Sequence, residues 1–193
     1  MTLILASKSA SRGAMLQAAG IAFEMRPANV DERAIESHLT GMPPGEIAAA
    51  LAEAKALAAD AGEGVVLGSD SLIVVNGQRY DKPRTRDEAA AHLRAFSGQT
   101  MDLHSAAAIV RAGEVVWRNA SRARLHVREL SEAFIDQYLD AEWPEVAHCV
   151  GVFRIEGRGV QLFDRIEGDQ FTILGMPLLP VLGALREQGL LAA

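Results

Sequence analysis

The stretch GVVLGSDSLIVVNGQ, residues 64–78, sets two apolar runs on either side of Gly68, Ser69, Asp70 and Ser71. Short runs rich in Val, Ile and Leu are the signature of buried strands. The chain is therefore expected to carry a sheet with a carboxylate near its middle. A carboxylate among buried strands is costly unless it is paired, hydrogen-bonded or bound to a metal, which marks Asp70 as a candidate functional residue. The alternative is a turn aspartate joining two hairpin strands, because Gly68, Ser69 and Asp70 are all turn formers.

Working outward, the stretch preceding this one, PPGEIAAALAEAKALAADA (residues 43–61), reads as a helix rich in alanine and leucine with prolines at its start. Further upstream, TLILAS reads as a short buried strand, SRGAMLQAAG as a helix closed by Gly20, and IAFEMRP as a second strand. Downstream, Thr85 and Glu88 have the spacing of a capping box that opens the helix RDEAAAHLRAF. The runs MDLHSAAAIV, EVVWRN and SRARLHV are expected to be successive antiparallel strands, and Ser131 to cap the helix EAFIDQYLDA. GVQLFDRIEG reads as strand or hairpin and PLLPVLGALREQG as a terminal helix. With no repeat or long linker, residues 1–193 are expected to form a single α/β domain with interleaved strands and helices.

Composition narrows the function. The chain has 193 residues, 49% of them apolar, enough for one compact domain or two small lobes sharing a core. The opening MTLILAS is too short for a signal peptide, and no run of about 20 apolar residues follows, so a cytoplasmic protein without a membrane anchor is expected. The single cysteine, Cys149, excludes an internal disulfide, and no Cys or His cluster has zinc-site spacing. A net charge of -6 argues against generic binding to nucleic acid or anionic membrane. Any site for an anion must be local.

Such a local site is suggested by LASKSASRGAMLQ, residues 5–17, where a strand gives way to a helix through a turn of small residues. Free N–H groups at a helix start favour an anion, and Ser7, Lys8, Ser9, Ser11 and Arg12 add hydroxyl, ammonium and guanidinium donors suited to phosphates. N-capping by Ser9 or Ser11 is the plainer alternative. Lys55 has Leu51, Ala52, Ala58 and Ala59 as helical neighbours, so it either snorkels or reaches into a pocket. Lys82 is held extended by Pro83, and Asp31 and Glu32 follow a strand, where they either start a helix or join Asp70 in supplying oxygens to Mg²⁺ or Mn²⁺. Glu156 and Glu167 stand beside glycine turns, where solubility suffices to explain them. Cationic side chains, hydroxyl donors and paired carboxylates fit hydrolysis of a nucleotide phosphoanhydride better than acyl transfer or redox chemistry. No nucleophile elbow, Walker loop or dinucleotide fingerprint is present.

Six blocks, LILASKSASRGAML, NVDE, LAEAKA, GSDSLIVVNGQRYDKPRTRDEAAAHLRAFSGQT, VGVFRIEGRG and RIEGDQFTILGMPL, resemble the Maf family of nucleotide pyrophosphatases in order and spacing. The resemblance covers nearly the whole chain. It implies a two-lobed α/β fold with a bent mixed sheet flanked by helices, similar to the inosine triphosphate pyrophosphatases, with the active site in the interlobe cleft. It also implies a divalent metal, a homodimer, and cleavage of a nucleoside triphosphate to the monophosphate and pyrophosphate. Matched onto that pattern, Ser7, Ser9 and Arg12 hold phosphates, Glu32 and Asp70 serve metal and water, Lys55 and Lys82 balance phosphate charge, and Asp70 is the general base.

The chain departs from the family pattern at Ala10 and Ser11, where a proline and a first arginine are usual, which implies a weaker grip on phosphate. Ser71 and Glu156 bear on the choice of base. Glu156 resembles the 7-methyl-GTP branch, since a carboxylate attracts a cationic methylated guanine or accepts from its N1 and N2 donors, whereas the dTTP/UTP branch carries threonine and glutamine at these two positions. Ser71 is not the glutamine expected of the former, so the dTTP/UTP reading stays open. A catalytically weak nucleotide-binding regulator of cell division and a phosphatase releasing orthophosphate are the remaining alternatives. Against the regulator stands Asp70, since a bare binder has no use for a buried carboxylate beside a polyanion.

Overall fold

The computed structural model describes residues 2–60, 62 and 64–192. Its elements run β1 (Leu3–Leu5), α1 (Ala10–Ala18), β2 (Phe23–Met25), α2 (Glu32–Ser37), α3 (Pro44–Ala58), β3 (Val65–Val75), β4 (Gln78–Tyr80), α4 (Arg86–Phe96), β5 (Thr100–Arg111), β6 (Glu114–Val127), α5 (Glu132–Glu142), β7 (Phe163–Glu167), α6 (Gln170–Ile173) and α7 (Leu178–Glu187). Short 3-10 turns cover Glu145–His148 and Arg158–Leu162. Among the described residues the strands form one mixed sheet in the order β2-β1-β3-β5-β6-β7, with β4 paired to β3 off that path. This is the α/β architecture expected from the interleaved pattern.

Three expectations change. VVLGSDSLIVV is one continuous strand and not two runs split at residues 68–71, so Asp70 sits within β3 and the alternative of a turn aspartate falls. The runs EVVWRN and SRARLHV are likewise a single strand, β6, because nothing in Asn119–Ser121 breaks an extended backbone. The helix from Pro43 is shorter than expected: α3 ends at Ala58, with Ala59 already extended, and Ala61 lies outside the described residues.

The chain divides into two compact units, the first comprising residues 1–71, 104–121 and 169–193, the second residues 72–103 and 122–168. In the first, β1 runs parallel to both β2 and β3. Parallel strands are covered on both faces, and the period of two assigns each residue its face. Leu3, Leu5, Val65 and Leu67 pack with Met15 and Leu16 of α1 and Leu178, Val181 and Leu185 of α7. Ile4, Ala6 and Val66 face the other way, onto Ala56 of α3. Helix α1 starts at Ser9, whose hydroxyl accepts from the Arg12 N–H, and it is closed by Gly20 at φ 72°.

In the second unit, β4 pairs antiparallel with β3 and β7 with β6. Thr85 caps α4 through the Glu88 N–H while the Glu88 carboxylate reaches back to the Arg84 N–H at 2.8 Å, one residue beyond the N-cap N–H that a standard capping box uses. Helix α4 buries Ala89, Ala90, Leu93 and Phe96, and α5, capped by Ser131, buries Ile135, Tyr138, Leu139 and Glu142.

Candidate functional site

Alternation along β3 places Gly68 and Asp70 on the face of α3, and Ser69 and Ser71 on the opposite face. Gly68 is needed there for close approach and not for a turn. A Cβ on it would lie 2.1 Å from the Ala52 carbonyl oxygen and 2.8 Å from the Ala56 nitrogen. The glycine therefore lets the backbone of α3 rest on the strand at Ala52 and Ala56. Lys55, between those two contacts, is thereby brought over Asp70.

The Lys55 Nζ pairs with Asp70 Oδ1 and lies 2.8 Å from Glu32 Oε1. The two neighbouring acids of α2 thus divide their roles. Asp31 is the N-cap, accepting from the Ala34 N–H at 3.0 Å, and Glu32 joins the charged cluster. Asp70 is 7% exposed. Burial pushes its carboxyl above the usual carboxylate range, Glu32 adds to that, and Lys55 and Arg12 oppose it.

Arg12 spends most of its donors on the chain itself. Its Nε donates to the Gly175 carbonyl at 2.8 Å, Nη1 to the Ser69 carbonyl at 2.9 Å and to Ser7 Oγ at 3.2 Å, and Nη2 to Ser71 Oγ at 3.0 Å. Four of the five guanidinium N–H groups are thereby used. The register explains the contact with Ser69. Strand β1 pairs with β3 as far as Leu5 and Leu67, and the Ala6 N–H still reaches the Leu67 carbonyl, after which β1 has ended. The guanidinium takes the place of the missing strand neighbour.

The opposite face of β3 is polar without an acid, its serines meeting carbonyls, hydroxyls and the Arg12 guanidinium. Ser69 and Ser71 both donate to the Gly175 carbonyl, at 3.1 and 3.0 Å, and Ser71 also meets Ser105 Oγ at 2.9 Å. Ser105, fully buried, donates to the Thr172 carbonyl at 2.8 Å. Nothing in the sequence reading singled out Ser105, although it interrupts an apolar strand as Asp70 does. At the start of α1, Ser7 Oγ accepts from the Ser9 N–H at 3.1 Å, while Ser11 donates to the Leu174 carbonyl at 2.9 Å and Lys8 is exposed. Within the first unit Ser7, Arg12 and Ser71 thus form one bonded set, with Ser9 at its edge, and Glu32, Lys55 and Asp70 another, with the charge of Arg12 felt at Asp70.

The second unit holds the other two candidates. Lys82 is exposed in the loop after β4, beside the buried Pro83, and Glu156 is exposed in the turn before Arg158. Cys149 links them: burial pushes its thiol up from the ordinary range, Glu156 adds to this, and Lys82 opposes it. Both charges are therefore within electrostatic reach of one half-buried sulfur. Glu167 lies on β7 in a surface pair with His126 Nε2 at 2.9 Å.

Residues 2–188 match the Maf-like protein family, and the chain belongs to that family. It is 49% identical to a 7-methyl-GTP pyrophosphatase of Rhizobium meliloti (strain 1021), covering 99% of this chain and 98% of that one. It is 50% identical to a nucleoside triphosphate pyrophosphatase of Sphingopyxis alaskensis, covering 98% of each. A HAM1 protein from Coxiella burnetii shows a partial structural likeness, with a TM-score of 0.43 and 16% identity over 66% of this chain and 73% of that one.

Proposed function

We propose that the chain hydrolyses a nucleoside triphosphate between its α and β phosphates, releasing the monophosphate and pyrophosphate, with Asp70 taking a proton from the attacking water. The observation that supports this most directly is the convergence of Asp70 and Glu32 on Lys55, seated by the Gly68 notch. A carboxylate whose pKa is raised by burial is a stronger base than an ordinary one, the property a general base needs. Lys55 and Lys82 are assigned to the charge that develops on the pyrophosphate leaving group. Ser7 and Ser9 offer their O–H groups to phosphates, and Arg12 adds its charge and one unused N–H. Ser71, with its hydroxyl committed to Gly175 and Ser105, is reassigned from substrate contact to holding β3.

A divalent cation fits these residues. Among the described residues no three His, Cys, Asp or Glu side chains gather as a closed metal site. Mg²⁺ commonly uses one or two carboxylates and completes its shell with water and substrate phosphates, and the facing oxygens of Glu32 and Asp70 meet that description. Those two residues would hold Mg²⁺ or Mn²⁺, which when bound would neutralise phosphate charge.

Glu156 is assigned to the base, and the 7-methyl-GTP pyrophosphatase relative supports a methylated guanine as the preferred one. The alternative substrates are dTTP and UTP. The test is product analysis with Mg²⁺ or Mn²⁺ over dTTP, UTP, CTP, GTP and 7-methyl-GTP. Pyrophosphate from 7-methyl-GTP in preference to the others is expected; orthophosphate would identify a terminal phosphatase and overturn the proposal. Among the described residues no helix is long and apolar enough to cross a membrane. A homodimer in the cytoplasm completes the proposal, checked by light scattering and by fractionation.

A further inference from the structure

The turn that carries Glu156 is built with unusual care. Glu142, at the end of α5, is buried to 5% exposure, and its Oε2 accepts from Arg154 Nε at 3.2 Å and Nη2 at 2.8 Å. One turn earlier on the same helix, Tyr138 donates its hydroxyl to the Val152 carbonyl at 2.9 Å. Val152 has φ 56°, a left-handed conformation that a β-branched residue adopts only when its surroundings enforce it. The segment then closes on itself, with the Gly157 N–H on the Arg154 carbonyl at 3.1 Å. There is no room for a Cβ at Gly159, where it would lie 2.5 Å from that same carbonyl oxygen.

Two polar groups of one helix face thus hold the segment on either side of Phe153, Tyr138 by the Val152 carbonyl and Glu142 by the Arg154 side chain, four and two residues before Glu156. Glu142 is buried while Arg154 stays partly exposed, so the acid needs a partner and the two-pronged contact of the guanidinium holds it in one defined geometry. Strain in Val152 points the same way, because strained backbone persists where a fixed shape is functional. We propose that Glu142 and Arg154 are positioning residues for base selection: they fix the turn that presents the Glu156 carboxylate, and they act on which nucleobase is accepted and not on the chemical step. This rests on the assignment of Glu156 to the base made above.

The experiment compares Glu142→Gln, Arg154→Lys and Glu156→Gln with the wild type. It measures kcat and KM for 7-methyl-GTP and GTP, and the affinity for pyrophosphate, which has no base. For Glu142→Gln the expected result is a KM for the preferred nucleotide raised about tenfold, a preference ratio reduced by about the same factor, and kcat and pyrophosphate affinity within about twofold. Arg154→Lys, which keeps the charge and loses the fork, is expected to change in the same direction by less, and it carries the test if Glu142→Gln does not fold. An unchanged preference in both brace variants overturns the proposal, as does an equal loss of affinity for nucleotide and pyrophosphate. If the brace variants change the preference and Glu156→Gln does not, the positioning role stands and the assignment of Glu156 falls.

Discussion

The two faces of β3 make opposite uses of polar residues. Towards α3 the strand presents Gly68 and Asp70, and the partners there are charged, Lys55 and Glu32. On the other face Ser69 and Ser71 meet the Gly175 carbonyl and Ser105, with the Arg12 guanidinium donating to Ser71 and to that same carbonyl and no acid among these partners. Ser69, Ser71 and Ser105 are each hydrogen-bonded within the chain, as buried polar groups in a structural network should be. On the α3 face an acid is kept buried, its pKa raised despite two cations nearby. Polar residues at the centre of a sheet therefore mark two things, a scaffold and a reaction centre, and burial alone does not separate them; a buried acid with a raised pKa does.

Several substitutions sharpen or break that contrast. Gly68→Ala forces its methyl into the α3 backbone and should destabilise the protein by at least about 3 kcal/mol, read as a shift of the denaturation midpoint. An unchanged midpoint would mean that α3 is not seated on the strand. Lys55→Met leaves Asp70 and Glu32 facing each other without a cation, and kcat should fall about 100-fold. The acidic limb of its pH–rate profile should move to higher pH, since Lys55 is the largest influence opposing the rise in the Asp70 pKa. On the serine face, Ser105→Ala removes a buried donor from the Thr172 carbonyl and should cost about 1–2 kcal/mol of stability with kcat nearly unchanged. A large loss of kcat there would place Ser105 in the chemistry and erase the distinction between the faces.

Stability should respond to Asp70 with a definite sign. Folding raises its pKa, so the ionised carboxylate works against the folded state: its favourable contribution is complete below the ordinary carboxylate range and is lost as pH rises through the raised value. Asp70→Asn should accordingly be no less stable than the wild type at pH 8 in thermal denaturation, the smallest of the expected effects. A marked drop in Tm would mean that the charged form of Asp70 holds the structure together.

The sequence exposed some of this and hid the rest for identifiable reasons. Apolar runs and caps are local signals, so β1, α1, the Thr85 cap and the Ser131 cap could be read directly. The run through Gly68, Ser69, Asp70 and Ser71 could not, because these turn-forming residues serve tertiary contacts, Gly68 and Asp70 against α3 and the two serines against Gly175, more than 100 residues away. Lys55, Glu32 and Asp70 were recognisable as candidates, but that one ammonium joins both acids depends on how α3 is seated. Arg12 carried a phosphate-binding expectation, and only the end of β1 reveals why its guanidinium bonds the Ser69 carbonyl. Ser105, Glu142 and Arg154 escaped attention because a single polar residue in an apolar strand, or a pair 12 residues apart, has no periodicity to betray it.

The central claim is that Asp70 performs the chemical step, and the most direct measurement is the rate of pyrophosphate release by Asp70→Asn at saturating nucleotide with Mg²⁺ or Mn²⁺ present. The geometry predicts a fall in kcat of about 100-fold or more, with nucleotide binding within a few-fold of wild type. Turnover near the wild-type rate would contradict it and move the general base elsewhere.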